Sequence, residues 1–328
     1  MNKDVRRPLE RVPELSHVSL SRKLKLQQLI LVAKVIDSGS LLRAAKELGM
    51  TQPAITKAVQ ELEAFFSAPL FERTNRGVVP TELGKLLGRR AKSMHTELRY
   101  LTDEINALQG GTAGHLIVGT LIVASARLLP MAIRLLKEQA PGMLVTVREA
   151  ATAQLFPALA TGDLDIVVGR LPERELPLAS AFPLHHEVLF KESICVVVGA
   201  RHALALPARP RLADLANLPW ILPLADSPTR MRAERLFQDA GLPLPVDRVE
   251  SLSMLTNIGL LLERECVALM PRAAAQQFVD AGLLAIVPLR EAADFGAVGF
   301  STRADKKISP ACERFIACLR ESAAHITE

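Results

Sequence analysis

Aromatic residues are scarce in this 328-residue chain, at 4% with one Trp and one Tyr. That is too few for the stacking platforms of a single-strand nucleic-acid binder. Cysteine is also sparse. Cys195, Cys266, Cys312 and Cys318 form no CxxC pair and have no His at zinc-like spacing, so buried thiols in a reducing compartment are expected. Cys312 and Cys318 could also be read as a redox pair, but their helical spacing puts them on different faces. Long hydrophobic runs are missing: Leu116 to Ala126 covers about half a membrane span and is closed by Arg127 and Pro130. It reads as a buried strand entering a helix. The first residues, MNKDVRRPLERVPELSHVSLSRK, carry basic groups without an apolar h-region, so the expectation is a cytoplasmic chain without a secretory signal. Catalytic signatures are lacking as well: no GxSxG, no GxGxxG after the first strand, no P-loop and no HExxH. His185 and His186 are adjacent, and on a strand their rings point to opposite faces, which argues against a shared metal. Neither an enzyme nor a metal or cofactor is expected.

What is present is an uneven charge. Residues 1–112 hold 18 Lys+Arg against 12 Asp+Glu, a net of +6, and 113–328 hold 22 against 23, a net of −1. A basic end on a nearly neutral body points to an anionic partner, such as nucleic acid, held at one end. With 49% hydrophobic and 23% charged residues, the composition is that of a globular protein of two or three domains.

Residues 1–23, with Pro8 and Pro13, read as a flexible extension. From Leu24 the pattern turns helical, with Leu26, Leu29, Ile30, Ala33 and Ile36 on one face, and stops at Ser38-Gly39. Ser40 is a good N-cap for a helix over Leu41–Leu48. Thr51 then caps TQPAITKAVQELEAFF, with Pro53 in its first turn. Here Ala54, Ala58, Val59 and Leu62 are expected inward, leaving Gln52, Thr56, Lys57 and Gln60 outside. Two short helices joined by a glycine turn form a helix-turn-helix; the alternative is a three-helix bundle with ordinary surface polars. Gln and Thr suit base edges and Lys suits phosphate. PLFERTNRGVVP then reads as a two-stranded wing, with Arg73 and Arg76 placed for the DNA backbone or minor groove. A long helix follows from the capping-box-like Thr81-Glu82. Leu87, Ala91, Met94, Leu98, Leu101, Ile105 and Leu108 recur at steps of 4 and 3, an a/d seam that favours a dimer over one amphipathic helix packed on its own domain. Gln109 to Gly114 is the clearest linker.

The run GSLLRAAKELGMTQPAITKAVQELE followed by PLFERTNRGVVPTELGKLL resembles the DNA-binding domain of LysR-type transcriptional regulators. Ser40, Ala44-Ala45, Gln52-Pro53-Ala54, Leu62-Glu63 and Leu70-Phe71-Glu72-Arg73 match its motif together. The resemblance implies double-stranded DNA as partner and a contact set of Ser40, Thr51, Gln52, Pro53, Ala54, Thr56, Lys57, Arg73 and Arg76. The chain departs at Ser67, where the family usually has glycine, and in its N-terminal extension.

Beyond the linker, strand-like and helix-like segments alternate, from HLIVGTL through LDIVVGR and again from SICVVVGA to LLAIVPL, GAVGFST and a terminal helix over Pro310–His325. That alternation is the mark of a doubly wound α/β sheet, whose ligands bind at the carboxyl ends of strands. Ile117-Val118-Gly119, Leu129-Pro130, Gly162 to Asp165 and Val267 to Pro271 resemble the same family's effector domain, built like a periplasmic solute-binding protein. GDLDIVVGRLPERE is similar to the branch regulating protocatechuate catabolism and the galactose-binding protein.

The resemblance implies an α/β fold: a winged helix-turn-helix with a long dimerisation helix, then a two-lobed periplasmic-binding-protein-like effector domain. The boundaries read as 24–81, 82–114 and 115–328, with lobes of about 115–190 plus 272–300 and about 191–271. It further implies a small-molecule effector, a carboxylate or sugar acid, at Thr120, Leu121, Ser125 and Thr152, with Val123 where some relatives offer a hydroxyl; Arg170, directly after the strand ending at Gly169, is added to this site by its own position. The loop Thr120 to Ser125 is expected to start a helix whose free N–H groups suit an anion. Arg170 is either a carboxylate clamp or half of a salt bridge. Self-association as a dimer or tetramer and contact with RNA polymerase are the other implied partners, with no membrane. An α/β enzyme on a DNA tether lacks a motif, and an extracytoplasmic receptor fails on the signal and the helix-turn-helix.

Overall fold

Short capped helices build the N-terminal unit. The structure, a computed structural model, describes residues 16–75, 77–108, 114–172, 183–205, 210–225, 227–289, 293–304 and 306–327. Helix α1 (His17–Lys23) is capped by Ser16, whose Oγ accepts from the Ser19 N–H at 3.2 Å. The extension expected to be flexible is therefore helical over these residues, because Leu20 and Leu24 find apolar partners on the core beside them. Residues 1–15 lie outside the described residues.

Helices α2 (Leu26–Ser38), α3 (Leu41–Glu47) and α4 (Gln52–Phe66) surround one apolar core. The buried side of α2 is wider than the single expected face: Leu31, Val32 and Val35 face α3 and α4, while Leu29 and Ala33 pack with Ala91. Leu26, expected inside, is exposed. Strands β1 (Phe71–Thr74) and β2 (Gly77–Pro80) form the antiparallel wing. Helix α5 (Glu82–Leu108) leaves it, with the Thr81 Oγ accepting from the Gly84 N–H at 3.1 Å. Two glycines let α5 lie close to this core. A Cβ on Gly84 would stand 2.1 Å from the Leu70 carbonyl oxygen, and one on Gly88 2.2 Å from Ile36 Cδ1.

The chain divides into two compact units, the first running through Thr102 and taking in Thr161–Asp163. The second contains β3 (His115–Thr120), α6 (Ile122–Ser125), α7 (Leu128–Gln139), β4 (Leu144–Glu149), α8 (Thr152–Thr161), β5 (Ile166–Arg170) and β6 (Leu184–Gly199). After these come α9 (Leu212–Leu215), β7 (Trp220–Leu222), α10 (Pro228–Asp239), β8 (Arg248–Glu250), α11 (Met254–Glu263), β9 (Val267–Pro271), α12 (Arg272–Asp280), β10 (Leu284–Val287), β11 (Ala293–Arg303) and α13 (Pro310–Thr327). One mixed sheet runs β4-β3-β5-β11-β6-β9-β7-β8, with β10 also on β6. β3 is parallel to both β4 and β5, as the alternating βαβ pattern requires. The IVV start of β5 is wholly buried, the composition of a strand covered on both faces.

The long strand β6 joins the two lobes. Over 184–194 it pairs with β11, which also flanks β5; over 194–199 it pairs with β9 and β10. Only its second half reads as a strand in the sequence, since His185, His186 and Val188 in the first half are exposed. Three-residue β7, set among prolines and covered, gives no strand signal either. The lobe boundary differs from expectation. α12 and β10, grouped by sequence with the first lobe, pack with the second: Ala274, Ala275 and Leu284 join Val197, Ile221 and Leu261 in one cluster. Strand pairing to the far end of β6, which sequence order does not reveal, places β10 there, and α12 packs beside it. No helix among the described residues is long and apolar enough to cross a membrane.

Candidate DNA-binding and effector sites

Helix α4 carries the groove-facing candidates. Thr51 caps it by accepting from the Ala54 N–H at 3.4 Å, which fixes the helical phase. The stripe Ile55, Val59, Leu62 and Phe66 is buried. Ala54, expected inward, is exposed, and Ile55 holds the inner position instead. Gln52, Pro53, Ala54, Lys57 and Gln60 therefore share the outer surface with Thr51. Thr56 is half-buried, and its hydroxyl donates to the Gln52 carbonyl at 2.9 Å. Lys57 stands 4.0 Å from Glu61 with both side chains mostly exposed; such a pair is worth only ~0.3–0.5 kcal/mol and leaves the ammonium available to phosphate. Ser40 caps α3, accepting from the Arg43 N–H at 3.5 Å. Arg73 is exposed on the wing, and Arg76 lies outside the described residues.

Glu63 seats the wing, a role sequence reading did not assign. Its Oε1 accepts from the Leu70 and Phe71 N–H groups at 2.8 and 3.2 Å. The chain reverses to reach it through Ser67, at φ +50° and ψ +31°, the one non-glycine with positive φ among the described residues. The Ala68 N–H bonds to the Glu63 carbonyl and the Ser67 N–H to the Ala64 carbonyl, the pattern of a Schellman end. The departure from glycine at this position leaves the turn formed.

The α5 seam divides. Ala91 is fully buried against Leu29 and Ala33, and half-buried Leu87 packs on the same cluster. These two expected dimer contacts are therefore consumed inside the unit. Met94, Leu98, Leu101 and Ile105 are exposed at 49, 38, 52 and 44%. The Leu108 side chain lies outside those described.

In the second unit the effector candidates come from segments meeting at the carboxyl ends of β3, β4 and β5. Thr120 ends β3, buried, its hydroxyl donating to the Leu121 carbonyl at 3.2 Å. The Leu121 N–H donates to the Val168 carbonyl at 3.0 Å, laying this turn across β5. Gly169, at φ +153°, makes room for it, since a Cβ there would stand 2.6 Å from Leu121 Cβ. Half-buried Arg170 follows, and Thr152 opens α8.

The Ser125 hydroxyl donates to Glu149 Oε2 at 2.6 Å. Glu149, at the end of β4, is the acceptor that sequence reading missed, because nothing local distinguishes it from a surface glutamate. The expected long helix after the loop is broken into four-residue α6 and separate α7, so the loop itself opens only a single helical turn. Val123 is buried in the main core.

Buried Glu192 on β6, also missed, accepts from the Ser193 N–H at 2.8 Å and the Ala273 N–H at 3.1 Å. It thereby caps α12 from across the sheet, where Pro271 offers no side-chain cap. Burial pushes its carboxyl above the usual range despite these donors. All four cysteines are buried, and burial pushes the Cys195 thiol up to about 12, which keeps that thiol protonated near neutral pH. His186 Nδ1 pairs with the Ser301 hydroxyl at 2.7 Å.

Comparisons with known proteins converge. A family profile for the bacterial regulatory helix-turn-helix protein of the lysR family matches residues 26–85, and one for the LysR substrate binding domain matches 109–324. The HTH-type transcriptional regulator GbpR of Azospirillum brasilense is 31% identical over 305 residues, covering 93% of this chain and 88% of that one. GalR of Pseudomonas putida is 30% identical, covering 95 and 78%, and PcaQ of Agrobacterium fabrum 28%, covering 94 and 97%. Among solved structures, full-length OxyR from Pseudomonas aeruginosa aligns with a TM-score of 0.64 at 23% identity over 92% of this chain and 94% of that one. The LysR-family regulator CbnR aligns at 0.62 and 21% over 92 and 99%. The helix-turn-helix, the wing and the two-lobed α/β body thus occur together and in the family's order, and the chain belongs to the LysR family of DNA-binding transcriptional regulators with an effector-binding domain.

Proposed function

We propose that this regulator is switched by a small hydroxylated carboxylate, a sugar acid, bound at the carboxyl ends of β3, β4 and β5 and facing the second lobe. One observation carries the reading: Thr120, Leu121, Ser125, Thr152 and Arg170 come from three chain segments that meet at one end of the sheet. Arg170 supplies a guanidinium fork for a carboxylate, and Glu149 supplies an acceptor for a ligand hydroxyl now taken by Ser125. An effector that binds two lobe arrangements differently shifts their populations and so the geometry offered to DNA. The regulated genes are a catabolic or transport operon. In the cytoplasm the chain acts as a dimer or tetramer through the exposed half of the α5 seam, with RNA polymerase as a further partner.

Thermal-shift measurements with a panel of sugar acids and aromatic acids test this reading. A true effector at about a hundred times its Kd adds ~2.7 kcal/mol to stability, and Arg170→Ala should abolish its shift while leaving DNA binding intact. Absence of stabilisation by any small carboxylate would refute the site. On DNA from upstream of its own gene, Gln52→Ala should damage sequence preference more than Lys57→Ala does. Equal losses on all sequences would contradict base reading by Gln52.

A further inference from the structure

Helix α1 precedes the family's helix-turn-helix match, which begins at residue 26, and yet it is folded onto that domain. Ser16 caps it, the Leu24 N–H closes it on the Leu20 carbonyl at 2.9 Å, and Leu20 and Leu24 pack on the core. What remains outside is cationic. Arg22, Lys23 and Lys25 are exposed, and no Asp or Glu occurs from Leu15 through Ile36. Some cations of this unit find carboxylates: Lys34 lies 2.6 Å from Glu47, and Lys85 lies 2.7 Å from Glu82. Among the described residues, Arg22, Lys23 and Lys25 take no ion-pair partner. Helix polarity is an insufficient reason for them. Arg22 and Lys23 gain modestly from the dipole at the end of α1, and Lys25 lies beyond it at the start of α2. The unit's partner is DNA, a polyanion whose phosphates bind such cations regardless of sequence.

We propose that α1 is an accessory DNA-backbone contact, in which Arg22, Lys23 and Lys25 bind phosphates flanking those reached by α4 and the wing. This lengthens the footprint beyond the family's usual domain and adds affinity without sequence preference.

The test compares the full chain with Arg22→Gln/Lys23→Gln/Lys25→Gln, which retains the docking leucines. Fluorescence anisotropy at several salt concentrations would use two duplexes, one from upstream of its own gene and one of scrambled sequence. Each lost phosphate contact should reduce the slope of log K against log salt by about 0.9, roughly two to three units for the triple variant. Affinity should fall by the same factor on both duplexes. Lys34→Gln, whose cation is already paired, should leave the slope unchanged. Lys25→Glu, which lies outside α1 at the N-cap of α2 where a carboxylate suits the helix start, should reduce the slope by about one unit or more. An unchanged slope in the triple variant, or a loss confined to the upstream duplex, would overturn the proposal.

Discussion

Replacing Ser67 by glycine should stabilise the DNA-binding unit. At φ +50° the serine pays the left-handed penalty of an L-residue, about 1–2 kcal/mol, which glycine avoids. Glycine gives back about 0.5–1 kcal/mol through the greater freedom of its unfolded chain. The Ser67 side chain contributes no cap of its own, since the Schellman bonds are made by backbone N–H groups. The net expectation is roughly 0.5–1 kcal/mol of added stability, which for a unit of about a hundred residues raises its transition by roughly 2–8 °C. Calorimetry of the full chain, following the transition of the DNA-binding unit, reads this shift. Ser67→Ala is the control: it keeps the left-handed penalty, so its transition should stay close to that of the parent. The turn also delivers the Leu70 and Phe71 N–H groups to Glu63, so DNA affinity should be unchanged or slightly improved in the glycine variant. A lower transition for Ser67→Gly, or identical shifts for glycine and alanine, would refute the reasoning.

Two further outcomes follow from close contacts elsewhere. Gly84→Ala places a Cβ 2.1 Å from a backbone carbonyl, which no side-chain rotation relieves; a loss of about 1–3 kcal/mol and weaker DNA binding are expected, and wild-type stability in urea unfolding would contradict the packing of α5. Glu192 titrates above the ordinary carboxylate range when folded, so the native state holds a proton that the unfolded state has released. Its contribution is therefore present below the unfolded pKa and declines as pH rises through the folded value. Relative to Glu192→Gln, the parent should lose stability across that window, and a pH-independent difference between the two would exclude the linkage.

The readable parts of this protein are those encoded locally. Ser40 and Thr51 announce helix starts because an N-cap acts within three residues, and the glycine turn between those helices is local too. The parallel arrangement of β3, β4 and β5 was legible from alternating strand and helix patterns, since short connections leave few other topologies. The inner position of α4 was misplaced by one residue, from Ile55 to Ala54, because alanine fits either side of a helix. The α5 seam shows the limit most clearly. Its period is uniform along the sequence, yet Ala91 is buried at home and Leu101 is exposed. Periodicity states that a face is apolar and carries no information about which neighbour covers it.

The sequence by itself determined the family, the order of the units and most of the polar outer face of α4. It also set the opening balance of scarce aromatics and a basic N-terminal third. Tertiary structure decided the matters that depend on partners distant along the chain. It folded α1 by giving Leu20 and Leu24 a surface to cover. It moved β10 into the second lobe by pairing it with the far end of β6, and α12 by packing Ala274 and Ala275 on the same cluster. It joined Ser125 to Glu149, and it set Glu192 at the start of a helix whose own first residues offer no cap. In each case the stabilising partner is far away in sequence. The free energy of burial or hydrogen bonding belongs to the pair, and neither residue signals it alone.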